Sequence, residues 1–354
     1  MNKKIFQLSF ILITFSLMFS DKIPISTDYP TIFPSARIRG LGGNGTSIMG
    51  DISSTFYNPA TLSGLNSGGI SISFETDHYS SYAEFLEKDQ SVYGKNVTFL
   101  TISTYQGGLS YMPLFKISYR DSFFDSLNLE RDFEMKLDQY WLSVTSYAGS
   151  DEKFTSFIYF GFNLKYLNGK IAETKLIYDT LGDLKDGFAE ISYGNGYGLD
   201  CGMVLSLSNF FASLMFRDIF THVYWDSYDK QIIPMNGNLG LSYVPLNNLL
   251  FNFNISKFLR KETPFVYTLG GEYTFFELSE KTNSFLDDLK KGSPSIRVGT
   301  SFKEIPNLST AIIDIGVGYN SNSVRFDLCF ESTLSKYYVG KFDYYLTLTI
   351  PITI

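Results

Sequence analysis

Histidine, cysteine and tryptophan are scarce, with two of each in 354 residues. Any imidazole chemistry must therefore use His78 or His222, and no His, Cys or carboxylate cluster has the spacing of a metal site. His78-Tyr79-Ser80 places a base and a hydroxyl on one side of an extended chain, a spacing that permits a nucleophile and its base, but a solvated rim histidine is the plainer reading. His222, next to Tyr224 and Trp225, reads as part of an aromatic belt or an external loop. Asp179, Asp183 and Asp186 lack the alternating oxygen ligands of a calcium loop and read as a charged external loop. No catalytic residue, metal or cofactor is expected, and the chain is not expected to be an enzyme. Cys201 and Cys329 fall on opposite faces of an alternating pattern, which predicts two free thiols. A basic excess is also missing: the formal charge is −7 and the pI about 5.0, which argues against a nucleic-acid partner.

Long hydrophobic runs are confined to the N-terminus. Lys3 and Lys4 precede the apolar stretch Ile5 to Phe19, and Ser20-Asp21 follows it. The stretch is shorter than the about 20 residues a spanning helix needs and predicts a signal peptide over residues 1–20. Membrane association of the mature chain must then use strands or the surface alone.

What the chain has in excess is aromatic residues, 17% of the total with 33 Phe and 25 Tyr, a composition that favours strands. From Ser67 onward polarity switches every residue. In "SVRFDLCFE", Val324, Phe326, Leu328 and Phe330 share one face, while Ser323, Arg325, Asp327, Cys329 and Glu331 share the other. "MNGNLGLSY", "NLLFNFNISKF" and the C-terminal run from Tyr344 repeat the pattern. A face so charged is incompatible with a dry core. With strands of about 9 to 11 residues, the alternation predicts about fourteen strands in a transmembrane antiparallel β-barrel over residues 67–354, since only a closed sheet pairs every backbone group in lipid. The alternative is a secreted soluble β-sandwich or propeller, which also alternates, and the large apolar residues opposite Asn, Ser, Thr and Gly favour the barrel. Charged stretches such as "IAETKLIYDTLGDLKDGF", "FTHVYWDSYDKQ" and "ELSEKTNSFLDDLKKGSP" are expected as connectors, and Pro351 must sit at an edge, end or bulge of the last strand.

The stretch "ARIRGLGGNGTSIMGDISSTFYNPATLSGL" contains a formal Gly-x-Gly-x-x-Gly match from Gly40 to Gly45. It is not a dinucleotide loop. The preceding "PSARIR" is too polar for a buried parallel strand, and Gly50 and Asn58-Pro59 break any following helix. The segment instead resembles the N-terminal region of the FadL-like outer-membrane barrels, the long-chain fatty-acid transporters and the related PorV-type proteins. Gly40, Gly42, Gly43, Gly45, Asp51, Asn58, Pro59 and Ala60 carry the match, and "GYGLDCGMVLSLS", "YTLGGEYTF" and "SIRVGTSF" are similar to strands of the PorV-type branch. The resemblance implies a fourteen-stranded barrel in which residues 21–66 fold inward as a hatch. Glycines would let the hatch turn and press on the wall, Asn58 would hydrogen-bond the turn, and Pro59 would stiffen it.

The resemblance further implies a bacterial outer-membrane channel for passive uptake of a hydrophobic small molecule such as a fatty acid. Its partners would be the lipid bilayer and the outer-membrane assembly machinery, and Phe157 and Tyr159 are the candidate ligand contacts. The alternative it implies is a non-transporting PorV-type barrel that docks exported proteins or acts as a surface adhesin.

Overall fold

The computed structural model describes residues 34–76, 97–123, 129–148, 156–179, 183–259, 263–276, 289, 291–303, 311–333 and 343–352. His78 and Ser80 lie outside them, as does most of "ELSEKTNSFLDDLKKGSP". The strands are β1 Gly68–Thr76, β2 Val97–Thr104, β3 Gly107–Phe123, β4 Leu129–Ala148, β5 Ser156–Tyr178, β6 Leu184–Leu207, β7 Phe210–Trp225 and the two-residue β8 Gln231–Ile232. They continue with β9 Asn236–Leu246, β10 Leu249–Phe258, β11 Val266–Thr274, β12 Ser293–Lys303, β13 Ile312–Asn320, β14 Arg325–Thr333 and β15 Asp343–Ile352. Neighbours in sequence pair antiparallel, β7 bypasses β8 to pair with β9, and β15 pairs with β1 from Gly68↔Ile352 to Thr76↔Tyr344. The ring is thus closed, with fourteen strands in the wall and β8 as an additional short strand. Pro351 is the penultimate residue of β15, opposite Gly69, where the missing donor is least disruptive.

Solvent exposure is inverted relative to a water-soluble protein. Leu164 is 59% exposed and Val298 61%, while the neighbouring Asn163 is 0% and Arg297 3%. Apolar side chains ring the outside and Ser, Thr, Asn and charged residues face in, the arrangement a wall takes when lipid surrounds it. A ladder of outward tyrosines crosses β3 to β6, with ring centroids 5.1 Å apart for Tyr111–Tyr140, 6.4 Å for Tyr140–Tyr166 and 5.7 Å for Tyr166–Tyr197. It is the kind of aromatic girdle found where a barrel meets the membrane interface.

The connections at 105–106, 208–209 and 247–248 are short and lie at the end where β1 begins and β15 finishes, the periplasmic end of such barrels. The β11–β12 connection, which holds "ELSEKTNSFLDDLKKGSP", falls at this same end, away from the other long connectors. Beyond the tyrosine ladder, β3 to β6 continue past the length other strands reach. β6 runs 24 residues against 9 for β13. Much of "IAETKLIYDTLGDLKDGF" and "FTHVYWDSYDKQ" is therefore strand instead of connector. Outside the bilayer the outer face has no need of apolar residues, so the ladder continues while the alternation fades.

Candidate functional site

The hatch lies inside the ring. It comprises a helical turn α1 Ala36–Arg39, a glycine-rich turn, a second helical turn α2 Ser54–Tyr57 and a 3-10 turn Pro59–Gly64. Its residues are nearly all buried, with Ile38, Leu41, Asn58, Ala60 and Leu62 at 0% exposure. Ser35 caps α1 by accepting from the Ile38 N–H, and Asn58 caps the 3-10 turn by accepting from the Ala60 N–H at 3.1 Å. Asn58 also donates through Nδ2 to the Thr46 carbonyl at 2.9 Å, tying the two halves of the hatch together. Pro59 holds the first position of its turn, where its missing N–H costs nothing.

Gly42 and Gly43 adopt φ of 91° and 85°, in the left-handed region, and a Cβ on Gly42 would lie 2.8 Å from the Thr300 carbonyl oxygen of β12. The wall answers with glycines of its own. A side chain on Gly299 or Gly270 would collide with the backbone at Leu41–Gly42, one on Gly161 with Pro59–Ala60, and one on Gly202 with Asn58. Gly202, Gly270 and Gly299 stand in the stretches similar to PorV-type strands, but the contact of each wall glycine with the hatch, across more than a hundred residues, has no local signal in the sequence. Wall side chains then take up the hatch carbonyls. Asn163 and Trp141 donate to Thr55 O at 2.8 and 3.0 Å, and Asn252 and Asn254 donate to Asn44 O at 3.1 and 2.9 Å.

Charge pairs complete the anchorage. Arg37 donates two hydrogen bonds to Glu272 of β11, at 2.8 and 2.7 Å, and a third to Asp51 of the hatch at 2.8 Å. Arg39 pairs with Glu331 of β14, with Asp314 of β13 at 3.8 Å. Burial opposes ionisation of Asp51, but Arg37 and Arg325 outweigh it and hold its carboxyl down at about 2. The phenol of Tyr57 is pushed well above its ordinary value by burial. The family resemblance indicated Asp51 and the glycines, whereas Arg37 and Arg39 counted in the sequence only as the polarity of "PSARIR" that excludes a buried strand.

Above the hatch, toward the end with the long strands, lies a chamber of about 310 Å³. Its floor is hatch: Arg39, Gly43, Asn44, Thr46, Phe56 and Tyr57. Its sides include Leu114, Ile233, Phe258, Val266 and Ile312, with Arg217, Asp218 and Lys303 among them, while Phe302 and Lys257, on the same strands, turn their side chains outward onto Tyr267 and Phe265. Arg217 and Asp218 are consecutive, yet both reach the chamber, because β7 bulges twice against β6 between Tyr197 and Cys201. Asp218 and Phe220 take φ of 59° and 53°, and Phe220 turns outward at 82% exposure. The Asp218 carboxylate turns to Lys165 at 2.8 Å, and Lys165 also pairs with Asp200 at 2.6 Å. His222, two residues on, bonds the Phe220 carbonyl through Nδ1 and stands 6.4 Å from the Tyr224 ring at the outer surface. Phe157 and Tyr159 face inward from the start of β5, their rings 6.2 Å apart, but on the side of the hatch toward the short connections. The chamber lining includes neither. Cys201 and Cys329 are free.

No protein-family model and no curated protein matches the sequence. Solved structures do. A TodX variant described as a monoaromatic hydrocarbon channel aligns at TM-score 0.55 and 10% identity, covering 90% of this chain and 99% of its own. The toluene transporter TodX of Pseudomonas putida aligns at 0.50 and 12%, covering 89% and 96%. A FadL homologue of Pseudomonas aeruginosa aligns at 0.47 and 11%, covering 87% and 95%. The fold is that of a FadL-like barrel, a closed ring of fourteen antiparallel strands with the N-terminal segment inside it.

Proposed function

We propose that this chain is a bacterial outer-membrane channel for passive uptake of hydrophobic small molecules, fatty-acid-like in having an apolar body. The observation that carries this reading is the chamber, lined by Phe56, Tyr57 and Phe258 and floored by the hatch, inside a wall whose outer face is apolar. An open pore for ions would leave the lumen clear, whereas here Arg37, Arg39 and Asn58 fasten the hatch across it. A ligand enters from the side of the long strands, rests on Phe56 and Tyr57, and moves on when the hatch yields, with no chemical turnover. Phe157 and Tyr159, on the periplasmic side of the hatch, would then meet the ligand after passage instead of at capture. The structural neighbours, described as channels for toluene and monoaromatic hydrocarbons, support this reading at the level of substrate type.

The test is uptake of a fluorescent fatty acid and of a neutral aromatic into proteoliposomes holding the purified protein, beside ion conductance in a planar bilayer. The reading expects uptake without steady conductance. Conductance without uptake would make the chain a general pore.

A second reading, a PorV-type barrel that docks exported proteins or serves as an adhesin, is favoured by one observation. β4, β5 and β6 continue about 11 to 13 residues past the tyrosine ladder, which at about 3.3 Å per residue is a projection of about 36–43 Å along the strands.

A further inference from the structure

The chamber walls carry more positive charge than uptake of a neutral hydrocarbon calls for. Three cationic side chains reach it, Arg39, Arg217 and Lys303, against one anionic, Asp218, while Lys257 faces outward with its ammonium 4.7 Å from the Phe265 ring. Asp218 is already engaged by Lys165 at 2.8 Å. Arg39 is engaged below the chamber floor by Glu331. Arg217 is placed differently. Its guanidinium carbon lies 3.8 Å from the centroid of the Phe56 ring, and its buried Nε has no hydrogen-bond partner. A buried donor left without an acceptor is costly, and stacking on an aromatic face leaves the edge of the guanidinium plane available to a planar anion. The β7 bulge that turns both Arg217 and Asp218 inward is a departure from regular strand, with two non-glycine residues at positive φ. It aims Arg217 at the chamber.

Size narrows the ligand further. A chamber of about 310 Å³ stands at the low end of the about 300–1,000 Å³ common for ligand pockets, which suits a compact molecule better than an extended long chain. Phe56, Tyr57 and Phe258 supply flat apolar walls for an aromatic body.

We propose that the chamber selects compact aromatic carboxylates, with Arg217 seating the carboxylate and Phe56, Tyr57 and Phe258 enclosing the ring. Lys303 adds to the positive field that draws the anion in from the mouth. The assignment rests on the uptake reading above and sets this chain apart from a channel for neutral hydrocarbons: desolvating the Arg217 edge over a neutral ring would leave its donor unmet, and that difference is the source of selectivity.

The test compares three probes by equilibrium dialysis against the full-length protein in detergent: 4-ethylbenzoate, the near-isosteric neutral 4-ethyltoluene, and palmitate. The expected result is that 4-ethylbenzoate binds at least about tenfold more tightly than 4-ethyltoluene, and that Arg217→Gln abolishes that difference. The wild-type comparison needs no variant, so a folding defect in Arg217→Gln cannot obscure it, and Lys303→Gln should reduce the preference by a smaller factor. Equal binding of the benzoate and the hydrocarbon overturns the anion assignment while the uptake reading stands. Palmitate binding more tightly than 4-ethylbenzoate overturns the assignment to compact ligands. Binding of none of the three overturns both the assignment and the uptake reading.

Discussion

Arg37 holds two carboxylates of different origin, Asp51 within the hatch and Glu272 on β11, so one side chain decides whether hatch and wall remain a unit. Removing one partner of a buried ion pair costs about 3–5 kcal/mol, because the charge left behind has lost both water and counter-ion. Arg297 and Arg325 compensate Glu272 and Asp51 in part. Arg37→Met is therefore expected to loosen the hatch without unfolding the barrel. It should appear as a new ion conductance and as protease cleavage within residues 34–66, while mobility on an unboiled gel stays that of the wild type.

Acid should act on the same joint. The Asp51 carboxyl titrates at about 2 in the folded protein, against 3.8 for an ordinary aspartate. A depressed carboxylate contributes stability that is complete above the ordinary value and is lost as pH falls through the depressed one. Protease access to the hatch should accordingly rise between about pH 4 and about pH 2. In Asp51→Asn the hatch should be loosened already at neutral pH and should show no step in that window. A wild-type hatch unchanged down to pH 2 would mean that Asp51 does not help hold it. The close approaches give a third expectation. Gly299→Val puts a side chain into the backbone at Leu41–Gly42, an overpacking that costs about 1–3 kcal/mol, and it should open the same conductance as Arg37→Met.

At the scale of elements, the alternation in sequence was a faithful guide wherever lipid imposed it. β10, expected from "NLLFNFNISKF", runs Leu249–Phe258, and β14, expected from "SVRFDLCFE", runs Arg325–Thr333. It failed at the upper ends of β5 and β6, where charged residues on both faces suggested a connector, because water on both sides removes the requirement that one face be apolar. The hatch was legible through its glycines and Asn58-Pro59, whose backbone demands are local. Its wall partners Gly202, Gly270 and Gly299 stood in stretches similar to PorV-type strands, but their contact with the hatch was not legible, nor was Gly161 or the chamber, since these depend on register between distant strands and on a bulge in β7 with no signature of its own. The extension of β4 to β6 offers a test between the two functional readings. Deleting 174–188, the tip of the β5–β6 hairpin, removes no residue of the chamber lining or hatch joint. Uptake into proteoliposomes should be unchanged in that variant if the channel reading holds, and any protein-docking or adhesive property of cells that display it should be lost if the extension serves the second.

For the whole molecule, the decisive quantity is where the apolar surface goes. Leu109, Leu164, Leu239, Phe251, Val298 and Ile315 are each 48% exposed or more, and they are spread around the ring over β3, β5, β9, β10, β12 and β13 instead of gathered in one patch. Soluble monomers rarely expose contiguous apolar patches beyond a few hundred Å², and one face of a dimer could cover only a sector of this ring. A surface apolar all the way round is satisfied only by a solvent that surrounds it. The closure of β15 on β1 serves the same end, because it leaves no unpaired strand edge in the ring to face hydrocarbon. The purified protein should accordingly need detergent to remain dispersed, should stay with membranes through alkaline carbonate, and should migrate faster on a gel before boiling than after, as the closed ring resists detergent until heated. Release by carbonate together with identical mobility in both gel lanes would mean that the ring does not sit in a bilayer, and the chamber would then have to be explained as a pocket of a water-soluble protein.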